Sequence, residues 1–220
     1  MSSKFIIIRV LLFVLLVVGT TSAMIAQDND FTTWTKFKVN HKIDSRFAVS
    51  GNLELRTEDD MSAIDRWGIS VGGDYRAFSF LKFEIGYETH YRNLGEIGWK
   101  FRHRYRIGAT ASFRYQWLKM SLRERFQQTF DRGESETRLR SRLKLGYAPQ
   151  KGIVSPYFSI EIYQSLDDAP FWRTARLRYR PGIEIDLTKR WSLDAFYCYQ
   201  YESSRGKHIE IGRASCRERV

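Results

Sequence analysis

The feature that most restricts this chain is an alternation that keeps returning. Between Lys100 and Arg114, one set of alternate residues is Phe101, His103, Tyr105, Ile107, Ala109, Ala111 and Phe113. The other set is Lys100, Arg102, Arg104, Arg106, Gly108, Thr110, Ser112 and Arg114. Successive side chains of a strand point to opposite faces, so this stretch reads as a strand with one mostly apolar face and one strongly basic face. It is longer than the roughly 9–11 residues that a tilted strand needs to cross the hydrocarbon of a bilayer. Strands of soluble sandwiches alternate too, so the argument rests on recurrence. Ten segments carry the pattern, within 31–40, 47–56, 66–76, 81–92, 100–114, 118–126, 138–147, 157–163, 176–187 and 191–202. The first is the weakest, because Trp34 falls in phase with Lys36 and Lys38.

The connections alternate as well. Tight turns are expected near Asp44, Ser79, Tyr115, Lys151 and Lys189. Longer polar links are expected over 57–65, 93–99, 128–137 and 165–173, several of them acidic. Short turns on one rim and longer loops on the other are the plan of an outer-membrane barrel. Aromatics such as Trp67, Tyr91, Phe101, Tyr147 and Trp191 sit where the apolar faces begin or end, as interfacial girdles require. Lipid offers no hydrogen bonds to a strand edge, so a spanning sheet must close. The expected fold is therefore all-β, an antiparallel transmembrane β-barrel of about 10–12 strands.

Both ends of the chain are set apart. Lys4 and Arg9 precede an apolar run from Val10 to Val18, and Met24-Ile25-Ala26 before Gln27 resembles a cleavage site. Residues 1–26 are read as a secretory signal, with an uncleaved membrane anchor as the alternative. Residues 27–209 form the barrel domain. The end of the chain, 210–220, breaks the alternation. Ile211 to Val220, IGRASCRERV, back-translates to a common sequencing-adapter sequence, and the stretch is read as an artefact replacing a truncated C-terminal strand. Ten strands plus one missing strand make an odd total, which the sequence leaves unresolved. Outside the tail the only cysteine is Cys198, so no intramolecular disulfide is expected.

Several motifs taken in order resemble a known family. They are Trp34, LELRTEDD at Leu53 to Asp60, RHRYR at Arg102 to Arg106, PYFSIEIY at Pro156 to Tyr163, R-x-R-Y-R-P-G at Arg176 to Gly182, and SLDAFYCYQYE at Ser192 to Glu202. Together they resemble the bacterial outer-membrane family catalogued as domain of unknown function 2490, over Phe31 to Ile209. The resemblance implies a β-barrel and a surface location. It brings no established activity.

Three arginine rows mark the candidate site: Arg102, Arg104 and Arg106; Arg138, Arg140 and Arg142; Arg176, Arg178 and Arg180. Each opens a strand that follows one of the longer links, so together they form a basic belt inside the barrel. The acidic partners are Glu88, Glu161, Glu184 and Glu202. Counting outward from the turns places Arg176 opposite Glu202, Arg140 close to Glu161 and Arg104 near Glu88.

A narrow lumen fills with paired ions, because an unpaired buried charge is costly. On that reading the chain is a structural or binding barrel of uncharacterised role. An anion-selective pore for small solutes is the alternative, since charged rings select ions. A membrane-embedded lipid hydrolase is the third class. His90 is its only lumen-facing histidine within a strand, and no G-x-S-x-G or H-E-x-x-H motif occurs. No catalytic residue, metal or cofactor is assigned, and the chain is not read as an enzyme. The formal charge of +11 fits nucleic-acid binding in composition, but the arginines lie in strand interiors of an exported chain. The expected partners are outer-membrane lipid and a small anionic solute, with no nucleic acid. The expected location is the cell outer membrane, and no oligomeric state follows.

Overall fold

The structure, a computed structural model, describes residues 31–58, 62–131, 133–147, 152–167, 172–188, 190–203 and 207–219, with Phe31, Thr32 and 207–219 as backbone only. The signal segment lies outside the described residues. Eleven strands follow one another: β1 (Phe31–Lys42), β2 (Phe47–Glu58), β3 (Ala63–Arg76), β4 (Leu81–Asn93), β5 (Trp99–Tyr115), β6 (Leu118–Asp131), β7 (Glu134–Tyr147), β8 (Val154–Ser165), β9 (Arg173–Asp186), β10 (Trp191–Glu202) and β11 (Lys207–Arg219). A single 3₁₀ turn, Gly95–Ile97, joins β4 to β5. Each strand pairs with its sequence neighbour antiparallel, and β1 closes on β11 to complete a barrel.

The closing contact is parallel, running from Phe31↔Glu210 to Asn40↔Arg219. Strands that alternate up and down in an odd number leave the first and last pointing the same way. This is how the parity difficulty in the sequence appears in three dimensions. The stretch set aside at the C-terminus supplies most of β11. An open edge in lipid needs partners for its backbone groups, and any extended segment offers them.

The inside and outside are inverted relative to a soluble domain. Among the described residues, fourteen buried side chains are polar and four are apolar. The largest fully buried ones are Glu161, Cys198 and Ser159. Val71, Ile85, Ile107, Leu122, Leu143 and Phe158 are exposed on the outer face. Such a surface is stable against hydrocarbon and costly in water. Girdles of rings flank this band. Trp67 stacks on Tyr91 at 5.0 Å and Tyr91 meets Phe101 edge-on at 5.2 Å toward one rim. Phe47 with Tyr75 at 4.7 Å and Trp117 with Tyr147 at 6.0 Å lie toward the other.

One expectation changes. The links expected over 57–65 and 128–137 shrink to 59–62 and 132–133, because the strands run on through them. Asp131 and Glu134 are the last pair of the β6–β7 ladder. Those ends are rich in polar residues, so they look like loop in sequence while their backbones stay paired. The outer face of β6 is interrupted by Glu124. It faces outward between Leu122 and Phe126, opposite Ser141, whose Oγ donates a hydrogen bond of 2.6 Å to its Oε2.

Candidate functional site

The inward faces of all the strands with described side chains surround one cavity of about 840 Å³. Eighteen lysines and arginines line it against ten aspartates and glutamates. The pairing is uneven around the wall.

Over β2 to β6 the charges are nearly matched. Arg56 pairs with Glu54 at 2.6 Å, and Asp65 bridges Arg66 at 2.9 Å and Arg92 at 3.0 Å. Arg104 Nη1 and Arg106 Nη1 share Glu88 at 3.3 and 3.6 Å, and Arg104 Nε also donates to Thr129 at 2.8 Å. Arg125 Nε reaches Glu84 at 2.5 Å, and Arg102 Nη2 reaches Asp131 at 2.6 Å. Gly86 lets the Arg106 guanidinium cross β4 toward Glu88, since a Cβ there would meet Arg106 Cζ at 2.9 Å.

Over β6 to β9 the balance fails. Glu161 is fully buried, and four guanidiniums converge on its carboxylate. Arg140 Nη2, Arg123 Nη2 and Arg180 Nη2 lie 2.6, 3.2 and 3.5 Å from Oε1, and Arg178 Nη1 lies 3.7 Å from Oε2. Tyr163 Oη donates to Oε2 at 3.2 Å. Among the described residues none of these four arginines has a second carboxylate. Arg142 stands directly opposite Glu161 in the β7–β8 register, yet has no carboxylate within ion-pair distance among the described residues.

The register explains the crowding. One row of cross-strand partners runs Arg123–Arg142–Glu161–Arg178–Gln200, and the next runs Arg125–Arg140–Tyr163–Arg176–Glu202. Like charges therefore face each other twice across β6–β7, an arrangement that destabilises a sheet unless it is compensated. Rings supply part of the compensation. The Arg140, Arg178 and Arg176 guanidiniums lie 4.9, 4.8 and 5.5 Å from the Tyr163 ring. Arg56 and Arg178 lie 3.9 and 4.9 Å from the ring of Trp34. A cation over a desolvated aromatic face gains about 2 kcal/mol.

The remaining belt residues of this wall have carboxylates of their own. Arg176 pairs with Glu202 and Arg138 with Glu136. Glu184 pairs with Lys144 toward the opposite rim, away from the belt. His90 is inward and buried, with Nδ1 3.6 Å from Glu88 and no hydrogen-bond partner for that atom among the described residues. Cys198 is fully buried beside Trp34 and Phe196, in a small apolar plug within the lumen.

Arg123, Arg125, Glu84, Asp131 and Trp34 belong to the lumen network but not to the belt drawn from sequence. The alternation does contain them. Trp34 is in phase with Lys36 and Lys38 because it faces inward.

The stretches that carry the family resemblance build the cluster. PYFSIEIY contributes Tyr157, Glu161 and Tyr163, and the neighbouring strand contributes Arg176, Arg178 and Arg180. Gly182 in that second stretch makes room for the Tyr157 ring, since a Cβ there would stand 2.6 Å from Tyr157 Cζ. Tyr157 then reaches Asp194 across it at 2.7 Å.

An apolar exterior with two aromatic girdles and a charged interior defines a closed β-barrel of the outer-membrane type. The family described as "Protein of unknown function (DUF2490)" matches residues 31–210, and the chain belongs to it. Among solved structures, the translocator domain of the autotransporter NalP from Neisseria meningitidis is similar at 16% identity, over 77% of this chain and 72% of that one, with a TM-score of 0.45. None of the curated proteins compared matches the chain.

Proposed function

We propose that this protein is an outer-membrane barrel whose electropositive lumen takes up small anions. One observation carries the reading: eighteen basic and ten acidic side chains line a single cavity. Glu161 and Asp65, outside that lining, neutralise two more positive charges and leave the excess in place. Uncompensated charge in a low-dielectric wall must be met by water or a counterion, and a wet basic lumen favours anions. The signal-like N-terminal sequence supports the location. The ion-paired structural barrel is the second reading, favoured by the near-matched pairs on β2 to β6.

Planar-bilayer recording under a salt gradient separates the two. The anion reading expects a stable conductance with an anion-selective reversal potential, weakened in an Arg140→Ala/Arg180→Ala variant. A barrel with no conductance, in wild type or in the variant, is the structural barrel. An open, cation-selective barrel contradicts the anion reading.

A further inference from the structure

The charge excess is not spread evenly round the lumen. Arg123, Arg140, Arg178 and Arg180 have only Glu161 as a carboxylate partner among the described residues, and Arg142 beside them has none. Five guanidiniums therefore share one carboxylate. Arg123 is 9% exposed and Arg180 is 5% exposed, so bulk water screens neither. The Nε atoms of Arg123, Arg140, Arg142 and Arg180 are buried without a hydrogen-bond partner among the described residues. A buried donor left unpaired costs the desolvation of that group. All four of these arginines line the same cavity.

A chloride ion matches such a cluster poorly, because it offers no set of separate oxygens for several planar forks. A tetrahedral oxyanion offers several acceptor oxygens and two charges, and guanidinium forks bind such groups in bidentate fashion. We infer that the β6–β9 wall of the lumen holds a binding site for a divalent tetrahedral oxyanion such as phosphate or sulfate, formed by Arg123, Arg142 and Arg180 beside Glu161. Glu161 sets the geometry by gathering three Nη2 atoms at one oxygen. Arg142, which has no carboxylate within ion-pair distance among the described residues, is the residue most available to the ligand. This inference rests on the anion-admitting lumen proposed above and names its ligand class.

The test is thermal unfolding of the purified full-length barrel in detergent, titrated with inorganic phosphate at constant ionic strength in a chloride background. A ligand that binds only the folded state raises the midpoint in a saturable way. Phosphate and sulfate are expected to raise it by several degrees, while acetate and chloride at the same ionic strength do not. Arg142→Gln is expected to weaken phosphate binding at least tenfold. In phosphate-free buffer it is expected to unfold no earlier than wild type, because Arg123 loses a like-charged neighbour across β6–β7. A purely structural Arg142 would instead lower that baseline. Should Arg142→Gln fail to fold, Arg142→Lys decides: it keeps the charge, loses the fork, and is expected to bind phosphate severalfold more weakly. Lys82 of β4 pairs with Asp74 at 3.3 Å on the matched side, and Lys82→Gln is expected to leave the phosphate response unchanged.

Equal stabilisation by phosphate, acetate and chloride would overturn the inference. So would an undiminished phosphate response in the Arg142 variants. A barrel that conducts anions yet shows no saturable phosphate response keeps the anion pathway and refutes the site. One that binds phosphate but passes no current supports the site and refutes the pathway.

Discussion

Glu161 holds together more positive charge than any other described side chain. Removing one partner of a buried ion pair leaves uncompensated charge and costs about 3–5 kcal/mol. Glu161→Ala is therefore expected to lower barrel stability by about that amount, measured by denaturant unfolding in lipid vesicles. A loss too small to measure would mean that the arginines around it are already neutralised by something else. Glu161 and its partner Arg140 were within reach of the sequence. Counting outward from the turn near Lys151 brings those two residues together, and the structure pairs them at 2.6 Å. Arg123 and Arg125 were harder to place in the belt, because Glu124 stands between them and hides the run. β6 also runs opposite to the strands that begin with the arginine rows. Trp34 was legible as an anomaly of phase, but what it meets in the lumen depends on side chains from β2 and β9.

At the level of the strand, alternation carries the fold wherever lipid demands an apolar face. The ten segments read from sequence are all strands in the structure, with the same faces turned inward. Alternation fails as a guide beyond the hydrocarbon band. Apart from Phe130 the β6–β7 end is polar, and only the backbone ladder reveals that the strands continue. Within the band, Leu143→Arg on the outer face of β7 is expected to cost about 2–4 kcal/mol of folding free energy in vesicles, while Lys144→Arg on its inner face is expected to cost little. Equal tolerance at the two positions would contradict the assignment of faces. Glu124 gives the reverse case. It places a carboxylate on the outer face with the Ser141 hydroxyl as its partner. Glu124→Gln removes the charge and keeps an acceptor for Ser141, so the folded barrel is expected to gain about 1 kcal/mol. A loss of stability in the same assay would give that outward carboxylate a role of its own.

For the whole molecule, closure is the governing requirement. The antiparallel meander was legible from the chain, but the seam was not. Its odd strand number forces the parallel contact between β1 and β11. Export is expected to leave Gln27 or a near neighbour as the first residue of a protein recovered from the outer membrane. Mass spectrometry of that fraction checks it, and an intact Met1 end would contradict it. The central claim is a lipid-facing barrel around a wet, electropositive lumen, and a cysteine scan along β7 tests it most directly. With Cys198 and Cys216 replaced by serine, single cysteines are placed at 139, 140, 142, 143, 144 and 145 of the barrel in vesicles. Each is then treated with an anionic methanethiosulfonate reagent and with its cationic counterpart. The account expects reaction at 140, 142 and 144, none at 139, 143 and 145, and faster reaction with the anionic reagent. Reactivity without a two-residue period, or faster labelling by the cationic reagent, would contradict it.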